Sequence, residues 1–361
     1  MYRFWKSLTL PILKALKPEI IVEVGSYRGD NTKLLWDFCK KHSIMLHIID
    51  PAPSFSKEDI CGANETKGVF LHKKLSLDAL PAIQNIDVAL IDGDHNWYTV
   101  YHELKTLIER AKIDKTPFPL VLFHDVAWPY ARRDLYYNPE TIPEEFRHEY
   151  AQKGILPGCT SLLNPGFNSS NNNALHEGGP RNGVLTAIED FLDETNEAMH
   201  FYTIPAFNGY GILVAETHFT FCPGLRKQLA GLLPSEHVRL LIADLEKDRL
   251  EIKSNLLKRG RAIAEKDQAI AEKDQAIAKK DQAIAHYREE LYTVYTSRSW
   301  RYTTPLRKIG TLIRRVLRLP HKPRIRAVIK RAYFMLPAFI RNSRLFENLK
   351  NRFKSKENII L

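Results

Sequence analysis

The fold class of this chain is decided by the stretch IIVEVGSYRGD at residues 20–30. An apolar run with one acidic residue leads into a glycine turn, and a pattern of helical spacing follows from Thr32 to Cys39. Strand, tight turn and helix in this order predict the first unit of a doubly wound α/β sheet, where ligands bind beyond the carboxyl ends of the strands. Gly25 permits the sharp turn, and Gly29 permits close approach of the backbone to a ligand. Because Tyr27 stands where a dinucleotide fingerprint has glycine, the stretch does not favour a nicotinamide cofactor.

Four further apolar runs predict parallel strands, and polar groups follow most of them. The runs lie at residues 45–50, 69–71, 88–92 and 120–123, and a helix is predicted over residues 97–111. Because the carboxyl ends of parallel strands meet at one edge of a sheet, we expect the polar groups there to converge. These groups are Glu23, Asp50, Asp92, Asp94, His95, His124 and Asp125. Charged groups are costly to bury without a partner or a task, so their convergence predicts a functional site.

The predicted sheet is interrupted by an insert at residues 126–181, which lacks regular periodicity and contains six prolines. A connection of this length in a compact domain is normally functional or disordered. We interpret it as a lid over the site, with a disordered loop as the alternative. A helix over residues 183–192 and two strands at 200–204 and 211–214 then complete a domain that is predicted to end near residue 220.

Residues 237–295 change to a seven-residue repeat. The motif AIAEKDQ recurs from residue 262 and puts isoleucine in one register at Ile263, Ile270, Ile277 and Ile284. A sustained repeat of this period predicts a left-handed coiled coil, and therefore a homo-oligomer. The second position of the seam is lysine in these repeats, which weakens it, so a lone charged helix is the alternative. The pattern does not determine the number of strands in the coil.

The last segment, residues 297–361, is strongly basic. It holds 18 Lys and Arg residues and two Glu, a net charge of +16, whereas the whole chain carries +11 and the other 296 residues therefore −5. The apolar sides of its predicted helices favour an anionic membrane surface over nucleic acid. Docking onto a partner enzyme is a third interpretation, compatible with the first.

Cysteine usage and hydropathy narrow the cellular setting. The four cysteines show no C-x-x-C spacing, which argues against a disulfide scaffold or a structural zinc site and fits a reducing compartment. No signal peptide and no membrane-spanning stretch are predicted. We therefore expect a cytoplasmic protein bound peripherally to the inner face of the cytoplasmic membrane.

Three motifs together resemble class I S-adenosylmethionine (SAM) methyltransferases of family 24. They are VEVGSYRG at residues 22–29, IDGDH at 91–95 and FHDV at 123–126, and the resemblance covers about residues 18–216. It implies a doubly wound, seven-stranded Rossmann-like sheet that is closed by an antiparallel strand. It also implies SAM as cofactor, with the methionine part lined by Glu23, Gly25, Ser26 and Gly29. Asp50 would hold the ribose, and Asp92 would lie near the sulfonium. Ser76, by its position after the third predicted strand, is the candidate to face the adenine.

Related sugar and catechol O-methyltransferases imply a divalent ion, Mg²⁺ or Mn²⁺, at the same strand ends. On this resemblance Asp92, His124 and Asp125 are the metal ligands, although Val126 replaces the asparagine of the catechol type. A sugar hydroxyl must lose its proton during transfer. His95 is the first candidate base, because a neutral imidazole is available near pH 7. Asp94 and His124 are the second candidates.

The segment SWRYTTPLR at residues 299–307 resembles tails of bacterial cell-surface polysaccharide enzymes. The resemblance implies O-methylation of a sugar hydroxyl in an O-antigen-like, lipid-linked glycan, with a glycosyltransferase as a further partner. Aromatic residues of the insert, Trp128, Tyr130, Tyr136 and Tyr137, are the predicted stacking surfaces for the sugar. Two alternatives remain: a non-catalytic scaffold with a SAM-type fold, and a nucleic-acid methyltransferase, which the acidic first part does not favour.

Overall fold

The computed structural model describes residues 1–62 and 67–317. The chain divides into two compact units, Met1–Gln268 and Ala269–Leu361. The amphipathic segments that the sequence predicts beyond residue 317 lie outside the described residues. Within the described part, no helix is both long enough and apolar enough to cross a membrane.

A seven-stranded sheet and a three-stranded sheet organise the first unit. In chain order the strands are β1 Ile20–Val24, β2 Met45–Ile49, β3 Val69–His72, β4 Val88–Ile91, β5 Leu120–His124, β6 Leu135–Tyr136, β7 Tyr150–Gln152, β8 Asn172–Ala174, β9 Met199–Ile204 and β10 Tyr210–Ala215. The helices are α1 Leu10–Leu16, α2 Asp30–His42, α3 Lys57–Cys61, α4 Ser76–Ala79, α5 Trp97–Asp114, α6 Val184–Glu194, α7 Glu216–Phe221, α8 Pro223–Leu232, α9 Glu236–Thr296 and α10 Arg298–Leu317.

The larger sheet has the strand order β3-β2-β1-β4-β5-β10-β9. Strands β1 to β5 pair in parallel, and β10 is antiparallel to both of its neighbours. The order reverses between β1 and β4, and this switch point is where open α/β sheets bind ligands. The predicted fold class, a doubly wound seven-stranded sheet closed by an antiparallel strand, is confirmed.

Apolar residues cover both faces of this sheet. Helices α1, α2 and α8 bury side chains such as Ile12, Leu35 and Leu225 on one face. Helices α5 and α6 bury Leu104, Phe191 and their neighbours on the other. Each fully buried side chain of this kind contributes about 1.5–3 kcal/mol to the free energy of unfolding. The two apolar layers therefore hold the sheet in place, and with it the edge that carries the polar groups.

The insert forms a small antiparallel sheet of order β6-β8-β7. Its Arg133 is completely buried and donates to the carbonyl oxygens of Ala174 and Thr160. Asp134 accepts hydrogen bonds from the backbone N–H groups of Trp97 and Gly183, at 2.7 and 2.6 Å. The insert is therefore a folded sheet joined to the first turns of α5 and α6.

Two other segments differ from the sequence prediction. Helix α3 lies between β2 and β3, where the sequence analysis predicts neither a helix nor a strand, and a capping box formed by Ser56 and Asp59 starts it. Helix α8 buries Leu225 and Leu229 in the core, so packing continues past the boundary predicted near residue 220. The helix predicted over residues 237–295 is present as α9.

Candidate functional site

The turn after β1 lies at the switch point, in close contact with the end of β4. Gly25 has φ +82°, and a Cβ added there would lie 2.2 Å from the carbonyl oxygen of Asp92 and 2.5 Å from the Cα of Gly93. The end of β1 therefore packs directly against the end of β4, at a distance that only glycine allows.

Gly29 caps α2 and packs closely against a neighbouring segment. It adopts φ +78°, and a Cβ there would meet the side chains of Ile60, at 2.8 Å, and Phe55, at 3.1 Å. Packing against α3 and the residues before it therefore also requires glycine here, and the approach of a ligand to its backbone stays a prediction. The sequence pattern gave no sign of this helix.

Asp50 holds the glycine turn. Its Oδ2 accepts hydrogen bonds from the backbone N–H groups of Ser26 and Tyr27, at 2.9 and 2.8 Å, and from the Ser26 hydroxyl. Its Oδ1 accepts from the N–H of Ala52 at 2.9 Å. A carboxylate oxygen has two acceptor sites, so Oδ1 keeps capacity for one further donor such as a hydroxyl.

Glu23 and Ser76 are also buried among partners of the chain itself. The Glu23 carboxylate accepts from Asn31 Nδ2 at 2.8 Å and from Thr32 Oγ1 at 2.6 Å, which ties β1 to α2. Burial raises the pKa of Glu23 to about 7, against the opposing effect of these two hydrogen bonds. Ser76 begins α4 and neighbours the carboxyl group of Glu103 in α5.

Four side chains from the ends of β4 and β5 form a cluster: Asp92, His95, His124 and Asp125. One ligand atom from each lies within 4.8 Å of the others. Oδ2 of Asp125 lies 2.7 Å from Nε2 of His95 and 2.7 Å from Nδ1 of His124. Oδ1 of Asp92 lies 3.3 Å from Nδ1 of His124 and 3.7 Å from Nε2 of His95.

The cluster contains the three predicted metal ligands and adds His95, which the sequence indicated only as a base. The IDGDH motif is the sequence feature that indicates this ligand. His95 follows Asp92 by three residues, and its ring lies beside Asp92 at the end of β4. Asp94 of the same motif lies outside the cluster, and its Oδ2 accepts from the Thr99 hydroxyl at 3.2 Å.

Several polar atoms of the cluster are buried without hydrogen-bond partners. Neither ring nitrogen of His95 makes a hydrogen bond, although Nε2 lies 2.7 Å from Asp125. Oδ1 of Asp125 also lacks a hydrogen-bond partner. A buried polar group left in this state costs about 1–3 kcal/mol. Imidazole and carboxylate atoms that converge while three of them lack hydrogen-bond partners fit the ligand set of a divalent metal ion.

The charges of the cluster residues shift one another's pKa values. Burial disfavours the charged form of His124, but the carboxylates of Asp125 and Asp92 outweigh it and raise the pKa of His124 to about 9. The pKa of His95 is likewise raised, mainly by Asp125 against burial, and the pKa of Asp125 is lowered by both imidazoles. The upward shifts of both imidazole pKa values favour the protonated rings over the neutral ones. A bound dication would displace these protons.

Three residues from other segments border the cluster. The amino group of Met1 lies 2.9 Å from Oδ2 of Asp92. The ring of Phe4 lies 6.1 Å from that of His124, centroid to centroid. Tyr137 of the insert, about half exposed, places its ring 5.8 Å from that of His95.

Of the four aromatic residues predicted to stack on a sugar, Tyr137 alone is exposed. Tyr130 and Tyr136 are buried, with the Tyr136 hydroxyl bonded to Asp134, and Trp128 is partly buried against Phe167. Stacking on Tyr130 or Tyr136 is therefore excluded in this conformation, because core packing has used their faces.

Comparison with known proteins agrees with this arrangement. Residues 22–126, less than a third of the chain, match a family model described as a methyltransferase domain. The match runs from β1 to the residue after Asp125 and so includes the whole cluster. The match agrees with the strand order of the larger sheet, which is that of a doubly wound, Rossmann-like methyltransferase sheet. No curated protein matched the chain.

Solved structures show similarity at low identity. A methyltransferase of Podospora anserina, solved with S-adenosylhomocysteine, is 17% identical over 58% of this chain and 77% of its own, with a TM-score of 0.35. A putative caffeoyl-CoA O-methyltransferase of Staphylococcus aureus is 12% identical over 57% of this chain and 81% of its own, with a TM-score of 0.32.

Proposed function

We propose that this chain is a SAM-dependent O-methyltransferase whose active site is the cluster of Asp92, His95, His124 and Asp125. The observation that carries the proposal is the position of the cluster. It lies at the carboxyl ends of β4 and β5, beside the switch point and inside the segment that matches the methyltransferase family model.

On the donor side, we assign the turn after β1 and the Asp92 carboxylate to SAM, which supplies its methyl group on a sulfonium cation. Gly25 keeps the turn free of a side chain, and Asp92, with 23% of its side chain exposed, is the most open member of the cluster. A carboxylate there favours a cation over a neutral ligand. Asp50 is assigned to the ribose through Oδ1, while Oδ2 holds the turn.

On the acceptor side, the four cluster residues would hold a divalent ion, which lowers the pKa of a bound hydroxyl and orients it. Two of the four ligands are imidazoles, a set that suits Mn²⁺ better than Mg²⁺. Oδ2 of Asp125 lies 2.7 Å from one nitrogen of each ring, so these three side chains can reach the same ion. Asp94 then becomes the candidate base, because it stands outside the ligand set and burial raises its pKa.

We extend the proposal to a sugar hydroxyl of a lipid-linked, cell-surface glycan. The half-exposed ring of Tyr137 beside His95 offers a stacking face for a sugar at the site. The polysaccharide-enzyme resemblance of residues 299–307 and the basic, amphipathic sequence of α10 support action at an anionic membrane surface. A glycosyltransferase partner and a peripheral position on the inner face of the cytoplasmic membrane belong to the same proposal.

Transfer of an isotope-labelled methyl group from SAM to the lipid-linked glycan fraction tests this function. We expect incorporation by the full chain with Mn²⁺, and loss of incorporation in Asp125→Asn. Asp193→Asn, the same change at an exposed position of α6, is the matched control and should retain it. Undiminished transfer by Asp125→Asn would exclude the assigned site, and transfer to nucleic acid instead would exclude the glycan.

A further inference from the structure

The first half of α9 packs against the loop between β9 and β10. The backbone N–H of Asn208 donates to Oε1 of Glu246 at 3.1 Å, and Arg249 donates to Oδ1 of Asn208 at 3.2 Å. Arg249 also pairs with Glu246 through two hydrogen bonds, at 2.6 and 2.7 Å. Leu250, one turn after Glu246, is buried. This part of α9 thus belongs to the first unit, Met1–Gln268, which contains the cluster.

The loop between β9 and β10, which α9 contacts, has three consecutive residues with positive φ. Phe207, Asn208 and Gly209 have φ values of +49°, +72° and +96°. Glycine and asparagine adopt this left-handed region more readily than other residues, whereas it is unfavourable for the bulky Phe207. Such a conformation persists only when surrounding contacts determine it. The contacts of Glu246 and Arg249 with Asn208 are contacts of this kind.

The same loop lies directly against the residues that follow the cluster. The N–H of Ala127 donates to the carbonyl oxygen of Asn208 at 2.8 Å, and a Cβ at Gly209 would lie 2.4 Å from the nitrogen of Ala127. Ala127 is two residues after Asp125, which itself has φ +59°. The loop is therefore hydrogen-bonded to, and packed against, the backbone two residues after Asp125.

A side-chain route joins the same two places. The ring of Phe207 lies 6.0 Å from that of Phe4, and the Phe4 ring in turn lies 6.1 Å from the ring of His124. The guanidinium of Arg249 lies 5.8 Å from the Phe207 ring. Backbone and side chains thus both connect α9 to the two cluster residues at the end of β5.

We propose that Glu246 and Arg249 of α9 are positioning residues of the active site, which hold the loop at residues 206–209 and through it fix Asp125 and His124. The inference rests on the proposed function only for what the cluster binds. The first half of α9 is then a structural component of the unit that holds the proposed active site, and the seven-residue repeat of the helix stays a candidate for self-association.

Hydrogen exchange followed by mass spectrometry tests this on the full chain. In Glu246→Ala/Arg249→Ala, we expect exchange in peptides covering residues 124–130 and 205–211 to become roughly tenfold faster, because hydrogen bonds that anchor the loop are lost. The matched control is Glu236→Ala/Arg239→Ala. It removes a pair of the same type and spacing from the same helix, at an exposed position where the pair bonds to itself.

Mn²⁺ affinity gives a second measurement on the same variants. We expect roughly tenfold weaker binding in the first double variant and no change in the control. Glu246→Gln, which keeps an acceptor for the Asn208 N–H, should retain slow exchange where Glu246→Ala does not. Unchanged exchange in residues 124–130 of the first double variant would overturn the inference. Absence of Mn²⁺ binding in the unmodified chain would count against the metal site alone, since exchange still decides the role of α9.

Discussion

At the residue scale, Asp125 organises the candidate site. One of its oxygens faces both imidazoles at 2.7 Å, and the other has no hydrogen-bond partner although the residue is buried. Because His95 completes this group, its removal should affect metal binding as strongly as removal of an acidic ligand.

His95→Gln should weaken Mn²⁺ binding on the order of 100-fold, because it removes a ligand and leaves the Asp125 charge without one of its partners. Calorimetric titration with Mn²⁺ measures this. His102→Gln is the control on α5, since that ring bonds to the backbone oxygen of Tyr98 away from the cluster. Equal affinities for both variants would remove His95 from the ligand set.

Glu103 gives a prediction about pH. It is completely buried, and burial raises its pKa from 4.5 to about 8. Between these values the native chain holds a proton that the unfolded chain has lost, so the free energy of unfolding falls as pH rises, by on the order of 3–5 kcal/mol.

Glu103→Gln removes this dependence, because the amide does not ionise. Urea unfolding below, within and above the window should show the variant gaining stability over the unmodified chain as pH rises. Parallel stability curves would show that Glu103 is ionised without cost in the folded chain.

At the element scale, the contact between the ends of β1 and β4 defines the site edge. Gly25→Ala should cost more than about 4 kcal/mol, since the new methyl group would meet the backbone of Asp92 and Gly93. Gly158→Ala is the matched control, with φ +77° and no described atom within 4 Å, and should cost about 1–2 kcal/mol. Chemical denaturation measures both; similar costs would refute tight contact between the two strand ends.

The elements show how far the sequence alone could lead. The parallel strands were predictable because buried strands read as continuous apolar runs, and the convergence of Asp92, His124 and Asp125 followed from strand direction. Helix α3 and the packing at Gly29 could not be predicted, because a helix of five residues with one capping box shows too little periodicity in the sequence. The burial of Tyr136 also escaped prediction, since it depends on contacts that only the folded insert provides.

At the scale of the whole molecule, the repeat in α9 leaves an apolar stripe exposed. Ile263, Ile270, Ile277 and Ile284 are each 49–59% exposed. Replacing all four with Asn should lower the mass measured by sedimentation to that of one chain, because burial of this stripe is the expected source of association. Ala264, Ala271, Ala278 and Ala285, changed in the same way, should keep the larger mass. A single-chain mass for the unmodified protein would favour the lone-helix alternative.

Binding of SAM measured by titration calorimetry tests the central claim most directly. The full chain should bind SAM in the micromolar-to-millimolar range typical of enzyme substrates. Asp92→Asn should bind it at least about tenfold more weakly, because the carboxylate opposite the sulfonium is lost. Failure of the unmodified chain to bind SAM, or equal binding by Asp92→Asn, would contradict a methyl-donor site at the junction of β1 and β4.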